Sequence, residues 1–268
     1  MKNIIEIDSL NYSYKDTLVF DNISLSIKEG SFVTVVGVSG CGKTTLVKLI
    51  LGLIKGNSVI MCEGLPVVDY HLKVLRKDVG VIYGNIEDSF VNETVMDEIA
   101  FNLENLNLAK EEINKRIISI SNKLKIKNIL EKNPHHITQE EKWLVALASS
   151  LVMRPNILII DDGFSSLSPK KRIIVLSLLE KLNIKGMTII NFSSNIEETL
   201  YGSEIIVLSE GKVLLSGSKE EVLGAEEILE EIGVGVPFIV SLSNKLGFYN
   251  LTKKIYLSEK ELVDALWK

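Results

Sequence analysis

The sequence predicts an α/β fold built around a parallel sheet, and three observations carry that expectation. The stretch Gly37-Val38-Ser39-Gly40-Cys41-Gly42-Lys43-Thr44-Thr45 fits G-x-x-x-x-G-K-[ST] at every required position, between a strand-like run and a helix-like one. Ile157-Leu158-Ile159-Ile160 is a short all-apolar run suited to a central parallel strand, and it ends on Asp161 and Asp162. Downstream of the glycine-rich loop, strand-like and helix-like runs alternate, the pattern of a parallel sheet with crossover helices.

The elements follow in order. Strands are expected at 4–10, 18–20 and 23–27, turning at Glu29-Gly30, before the β-branched run Phe32–Val36 feeds the loop. A helix continues from Leu46 to Leu51 and closes near Gly52. Short strands fit 58–61 and Val79–Tyr83. Residues 86–135 turn helical and rich in Asn, Glu and Lys, with helices at 94–107 and Lys110–Leu124. A helix over 140–151 places Leu144, Leu147, Ala148 and Leu151 on one face at i, i+3, i+4, i+7. Ser168-Pro169 reads as N-cap and N1 of another helix that ends near Lys185-Gly186. A strand at 187–192 follows, then a hairpin of 205–208 and 212–215 around Ser209-Glu210-Gly211, then a helical tail over 220–268.

Composition narrows the function classes. The 268 residues suit one large or two small domains, and 46% apolar with 24% charged residues is ordinary for a globular chain. A net charge of −5 without any Lys/Arg cluster argues against nucleic acid as a partner. Cys41 and Cys62 lack metal or redox spacing, which fits a cytosolic setting. Met1-Lys2-Asn3 leads into alternating Ile5-Glu6-Ile7 and not into the apolar core of a signal peptide. The longest apolar stretch, 143–153, falls short of the about 20 residues a bilayer span needs, so a membrane role must run through a partner.

The glycine-rich loop carries the chemistry. Its glycines permit a tight wrap whose N–H groups point at phosphate oxygens, and the following helix end adds partial positive charge. Lys43 then reaches the outer phosphates and the Thr44 hydroxyl ligates Mg²⁺, which together predict nucleoside triphosphate binding. Asp161, at the end of its apolar strand, is the second expected Mg²⁺ anchor. Asp162 is the candidate for orienting or deprotonating the attacking water. His71, His135 and His136 have no ligand spacing and read as solvated or structural. Cys41 reads as small-residue packing, and Glu226-Glu227 with Glu230-Glu231 as a solvated helix face.

At these residues the chain resembles ATP-binding-cassette (ABC) ATPases, and more narrowly the ATPase subunits of energy-coupling-factor transporters. Asn11-Tyr12-Ser13-Tyr14 resembles the aromatic loop, and Asn85-Ile86-Glu87-Asp88-Ser89-Phe90-Val91 is similar to the subfamily's N-P-E-D-Q-F-V segment. Thr94-Val95-Met96-Asp97-Glu98-Ile99-Ala100-Phe101, Val236-Pro237-Phe238 and the terminal stretch from Leu257 to Trp267 are also subfamily-like. The resemblance implies a P-loop NTPase with a RecA-like parallel sheet, an antiparallel β subdomain, a helical subdomain and a C-terminal helical extension. It places the ABC domain at 1–220, with the helical subdomain inserted at about 86–150, and a dimerising extension at 221–268. It further implies ATP and Mg²⁺ as cofactors. Nucleotide would be held by Tyr14, Gly37, Ser39, Gly40, Cys41, Gly42, Lys43, Thr44 and Thr45, metal by Thr44 and Asp161, and turnover carried by Lys43 and Asp162. The implied partners are a second ABC ATPase subunit in a heterodimer, a transmembrane coupling subunit and a substrate-binding membrane subunit. The implied location is cytoplasmic, peripheral on the inner face of the membrane.

Several motif positions depart from that family. The glutamine that reaches Mg²⁺ and water aligns with Gly84, and the catalytic glutamate with Asp162, one methylene shorter. The switch histidine aligns with Ser194, and the D-loop aspartate with Ser168, which can still cap its helix. The signature L-S-G-G-Q reads Ile137-Thr138-Gln139-Glu140-Glu141. Thr138 and Glu141 match the capping box [ST]-x-x-[DE], so this helix end can satisfy itself, while Glu140 and Glu141 bring negative charge to the place where phosphate docks. Two readings stay open there: a well-capped helix, or a phosphate contact through Thr138. Turnover is expected to be weak, with ATP binding better retained.

Overall fold

A computed structural model describes residues 2–84, 86, 90–104, 108–252 and 254–267. The chain runs through β1 (Asn3–Tyr14), β2 (Thr17–Lys28), β3 (Phe32–Val36), α1 (Lys43–Ile50), β4 (Ile60–Cys62) and β5 (Leu65–Pro66). Then come α2 (Asp69–Asp78), β6 (Val79–Tyr83), α3 (Val95–Glu104), α4 (Lys110–Leu124), α5 (Gln139–Leu151), β7 (Ile157–Asp161), α6 (Pro169–Asn183) and β8 (Thr188–Ser193). It closes with β9 (Glu204–Ser209), β10 (Lys212–Ser218), α7 (Lys219–Gly224), α8 (Glu226–Glu231), α9 (Phe238–Phe248) and α10 (Glu259–Leu266). Its contacts divide it into two compact units, one of 1–68 with 190–268 and one of 69–189.

In the first unit, β1 and β2 form a long antiparallel pair that continues to β4 and β5 in the order β2-β1-β4-β5. The two short strands expected at 18–20 and 23–27 are one, β2. The polar Asp21-Asn22 step between them is absorbed where Asn22 takes a left-handed φ of 54° and its N–H donates to Asn11 Oδ1 at 2.8 Å. A second array has the order β10-β9-β3-β8, with β3 parallel to β9 and β9–β10 an antiparallel hairpin. All five side chains of β3 are buried, Thr34 among them, as expected of a β-branched strand covered on both faces. The helical tail packs its inner residues Leu229, Ile239, Val240 and Leu262 into one cluster with Val36, Ile205 and Val207.

In the second unit, β6 and β7 pair in parallel, bringing Tyr83 opposite Asp161. α5 is its central helix, packed against α3 and α4. Leu144, Leu147, Ala148 and Leu151 are buried as their spacing predicts, and so is Trp143. Helix α2, for which the sequence reading has no element, buries only Leu75. The helix expected over 94–107 is α3, which ends at Glu104; 105–107 lie outside the described residues, as do Asn85 and 87–89. The strand expected at 58–61 starts two residues later and ends one later, as β4, in register with Ile5 and Ile7 of β1.

Candidate nucleotide site

Each unit carries one half of the predicted chemistry. In the first, the buried ammonium of Lys43 donates to Gly37 O at 2.7 Å and Val38 O at 3.2 Å, with Cys41 Sγ at 3.9 Å. A charge removed from water needs acceptors, and the loop's own carbonyls supply them. Gly42 takes φ 105°, and a Cβ there would lie 2.8 Å from the Phe20 ring, so neither its backbone nor its surroundings admit a side chain. A Cβ at Gly37 would lie 2.5 Å from Cys41 Sγ and 2.4 Å from Leu208 O. Cys41 is therefore the small residue that fills the inside of the turn, while Val38, Ser39 and Gly40 line its exposed outer side. Helix α1 has Gly42 at its N-cap, with no side-chain cap bond and no acidic residue in its first turn. A loop with side chains excluded at its glycines and a helix end kept clear of carboxylate is a fit for a polyphosphate.

Tyr14 is exposed near the β1–β2 turn and meets Tyr12 edge-on, with ring centroids 5.0 Å apart. Ser194 follows β8 and is exposed. Both belong to the first unit, with the loop.

The second unit brings together Tyr83, Gly84, Asp161 and Asp162. Asp161 is buried at the end of β7, whereas Asp162 is exposed and left-handed, at φ 53° and ψ 31°. Burial, and next the nearby Asp161 charge, push the Tyr83 phenol above its usual pKa. Gly84 does more than lack a side chain. A Cβ at this position would lie 2.8 Å from Asp162 O and 3.2 Å from Asp161 O. The strand end comes too close for any other residue.

The head of α5 closes on itself. Thr138 N–H and Oγ1–H donate to Glu141 Oε2, each at 2.9 Å, and Glu141 N–H donates back to Thr138 Oγ1 at 3.2 Å. This is the complete capping box that the sequence predicts. Ser168, expected to cap α6, does not: it occupies the N-cap position, but its side chain makes no cap bond. Its hydroxyl and its N–H both donate to Glu140 Oε2, at 2.6 and 2.8 Å. Those bonds, the hydroxyl's first, hold the Glu140 carboxyl below the usual range. Sequence reasoning missed this contact because the two residues lie 28 positions apart with no spacing rule to join them.

Among the described residues, no group of three or more His, Cys, Asp and Glu is placed to hold a metal ion, and no helix is long and apolar enough to cross a membrane. Thr44 in the first unit and Asp161 in the second each carry an oxygen of the hard type that Mg²⁺ takes.

Comparison with known proteins decides the family. The ABC transporter family model matches residues 20–165. The chain is 33% identical over 251 residues to the energy-coupling factor transporter ATP-binding protein EcfA of Pediococcus pentosaceus, covering 92% of this chain and 90% of that one. It belongs to the ABC transporter family. Within that family it is one of the energy-coupling factor transporter ATP-binding proteins. The EcfA1 protein of Leuconostoc mesenteroides is likewise 33% identical, across 99% of this chain and 98% of its own length. Among solved structures it resembles cbiO1 from Clostridium perfringens, described as part of the ABC transporter complex cbiONQ, with a TM-score of 0.76, 27% identity and coverage of 91% and 100%. A dimeric ATP-binding cassette bound to ADP and Pi shares the fold at a TM-score of 0.73 and 23% identity, covering 80% of this chain and 98% of that one. The parallel sheet, the antiparallel sheet and the helices are thus those of an ABC ATPase.

Proposed function

We propose that this chain is the ATP- and Mg²⁺-binding subunit of an energy-coupling-factor importer for vitamins or transition-metal ions. It works beside a second ATPase subunit, on the inner face of the membrane, through a transmembrane coupling subunit and a substrate-binding one. The observation that carries this reading is the phosphate loop, with Lys43 poised across it and α1 left uncapped at Gly42. Tyr14 stacks on adenine and Gly37, Ser39, Gly40, Cys41, Gly42, Lys43, Thr44 and Thr45 wrap the phosphates. Thr44 and Asp161 hold Mg²⁺, whose charge offsets that of the phosphates when bound. Asp162 orients or deprotonates water. The tail from 221 joins the two ATPase subunits: its inner face is spent on the core, and Phe238, Phe248, Tyr249 and Trp267 stay exposed.

A second reading, ATP binding with little hydrolysis by this chain, is supported by the closed head of α5. In a homodimer every loop would meet Thr138 already engaged with Glu141 and two glutamates beside it. A lost transition-state donor costs about 10²–10³ in rate, and a lost acid–base contribution roughly 10²–10⁴. Such losses need not add.

The test purifies the chain alone and with its second ATPase subunit, and compares ATP binding and turnover for wild type, Lys43→Ala and Asp162→Asn. The first reading expects slow turnover by the pair, lost with Asp162→Asn, and weakened ATP binding with Lys43→Ala. Unchanged turnover in both variants supports the second reading. Failure of the isolated chain to bind ATP at millimolar concentration sinks both.

A further inference from the structure

The loop between Asp162 and α6 is held at both ends by one helix. At its far end, the single oxygen Glu140 Oε2 accepts the Ser168 hydroxyl at 2.6 Å and the Ser168 N–H at 2.8 Å. Bonds to an ionised acceptor are short and roughly twice as strong as neutral ones. Glu140 lies in the first turn of α5, and Ser168 is the N-cap of α6, so two helix N-termini favour the same negative charge. At the near end, a Cβ at Gly163 would lie 2.7 Å from Trp143 Nε1, and the Phe164 ring packs on Trp143 with centroids 5.3 Å apart. Trp143 is fully buried, and its indole N–H makes no hydrogen bond among the described residues, so packing alone holds it against the loop. Within the loop, Phe164 O accepts from Arg172 Nη2 at 3.1 Å and from Leu167 N–H at 3.1 Å.

One turn of α5 therefore sets both ends of a short segment whose first residue is Asp162. That residue sits in a left-handed conformation, which costs a residue with a Cβ more than it costs glycine. From this geometry we propose that Glu140 is a positioning residue for Asp162, holding its loop through Ser168 while Trp143 holds the other end. The head of α5 points its chemistry inward, at the loop that leads from Asp162 to Ser168 of its own chain. The proposal rests on the reading of Asp162 as the residue that acts on water.

The test uses the assembled pair of ATPase subunits with Glu140→Ala, Glu140→Gln, Ser168→Ala, the double variant Glu140→Ala/Ser168→Ala, and Asp162→Asn. ATP affinity is measured on the same proteins. Trp143 emission is followed separately, on the isolated full chain carrying Trp267→Phe, where the subunit contact proposed for the tail plays no part. Glu140→Ala and Ser168→Ala should each lower kcat by about 10- to 100-fold, the range a small misplacement costs. KM and ATP affinity should stay within about twofold, because the phosphate loop is untouched. The double variant should be no worse than either single one, since both remove the same bonds. Glu140→Gln, which keeps an acceptor oxygen, should recover part of the rate, and Trp143 emission should shift to the red only where the clamp is lost. Unchanged kcat in Glu140→Ala, with Asp162→Asn inactive, overturns the proposal while leaving Asp162 in its role. An Asp162→Asn pair that turns over like wild type removes the role itself, and the positioning assignment falls with it. A loss of ATP affinity equal to the loss of kcat marks general damage and also overturns it.

Discussion

Placing at position 84 the glutamine that the family resemblance implies should damage the protein and leave turnover no better. The added Cβ would stand 2.8 Å from Asp162 O, 3.2 Å from Asp161 O and 3.3 Å from Asp162 C. Ordinary van der Waals contact begins near 3.4 Å, so the Asp162 carbonyl must retreat by about 0.6 Å. It has little freedom to do so, because Asp162 is already at φ 53° and the loop beyond it is packed on Trp143. Overpacking of this kind costs about 1–3 kcal/mol. For a chain of this size each kcal/mol moves the melting temperature by about 2–4 °C, which gives a fall of roughly 2–12 °C. Thermal unfolding of Gly84→Gln and Gly84→Ala, followed by circular dichroism, measures it. The alanine variant carries the same Cβ without the amide and should show most of the loss. A Gly84→Gln protein that melts with wild type and turns over ATP tenfold faster in the assembled pair would refute the steric argument.

Other expectations follow from the same geometry. Gly42→Ala should abolish nucleotide binding, because φ 105° and the Phe20 ring 2.8 Å away both exclude the methyl group; wild-type affinity by calorimetry would contradict this. Thr138→Ala breaks the capping box and should lower stability by about 1 kcal/mol, a melting shift of about 2–4 °C, with an unshifted transition counting against the box. The Glu140 carboxyl is held below its usual range, so its bonds to Ser168 stabilise the folded chain above the ordinary carboxylate pKa of about 4.3. That stability drains away as pH falls through the lowered folded value. The melting difference between wild type and Ser168→Ala should therefore be present at neutral pH and shrink in acid; a pH-independent difference would contradict it.

What the sequence revealed, and what it hid, divides by the range of the interaction. The strand–loop–helix around Lys43 is legible because glycine spelling, an apolar strand and a helix start are local features. The capping box at Thr138 and Glu141 is legible for the same reason, since two residues three positions apart make it. The continuous β2 was hidden because the register shift at Asp21-Asn22 looks like a turn in one dimension. Gly84 could be seen as a missing side chain, but its near-contact with Asp162 O depends on the register of β6 against β7. The Glu140–Ser168 bonds turn on how two helix ends approach, which no periodicity encodes.

The unlike heads of α1 and α5 have a consequence for how an assembly would pass information. One is uncapped at Gly42; the other has Thr138 engaged with Glu141 and Glu140 tied to Ser168. In an arrangement where each nucleotide is shared by one subunit's loop and its neighbour's helix, as the family resemblance implies, this chain acts as a receiver and a poor sender. A neighbour with an unobstructed helix could register whether this chain's loop is filled. The reverse message would meet carboxylates and go unread. Such a pair would behave as a diode, its two nucleotides unequal in what each reports about the other.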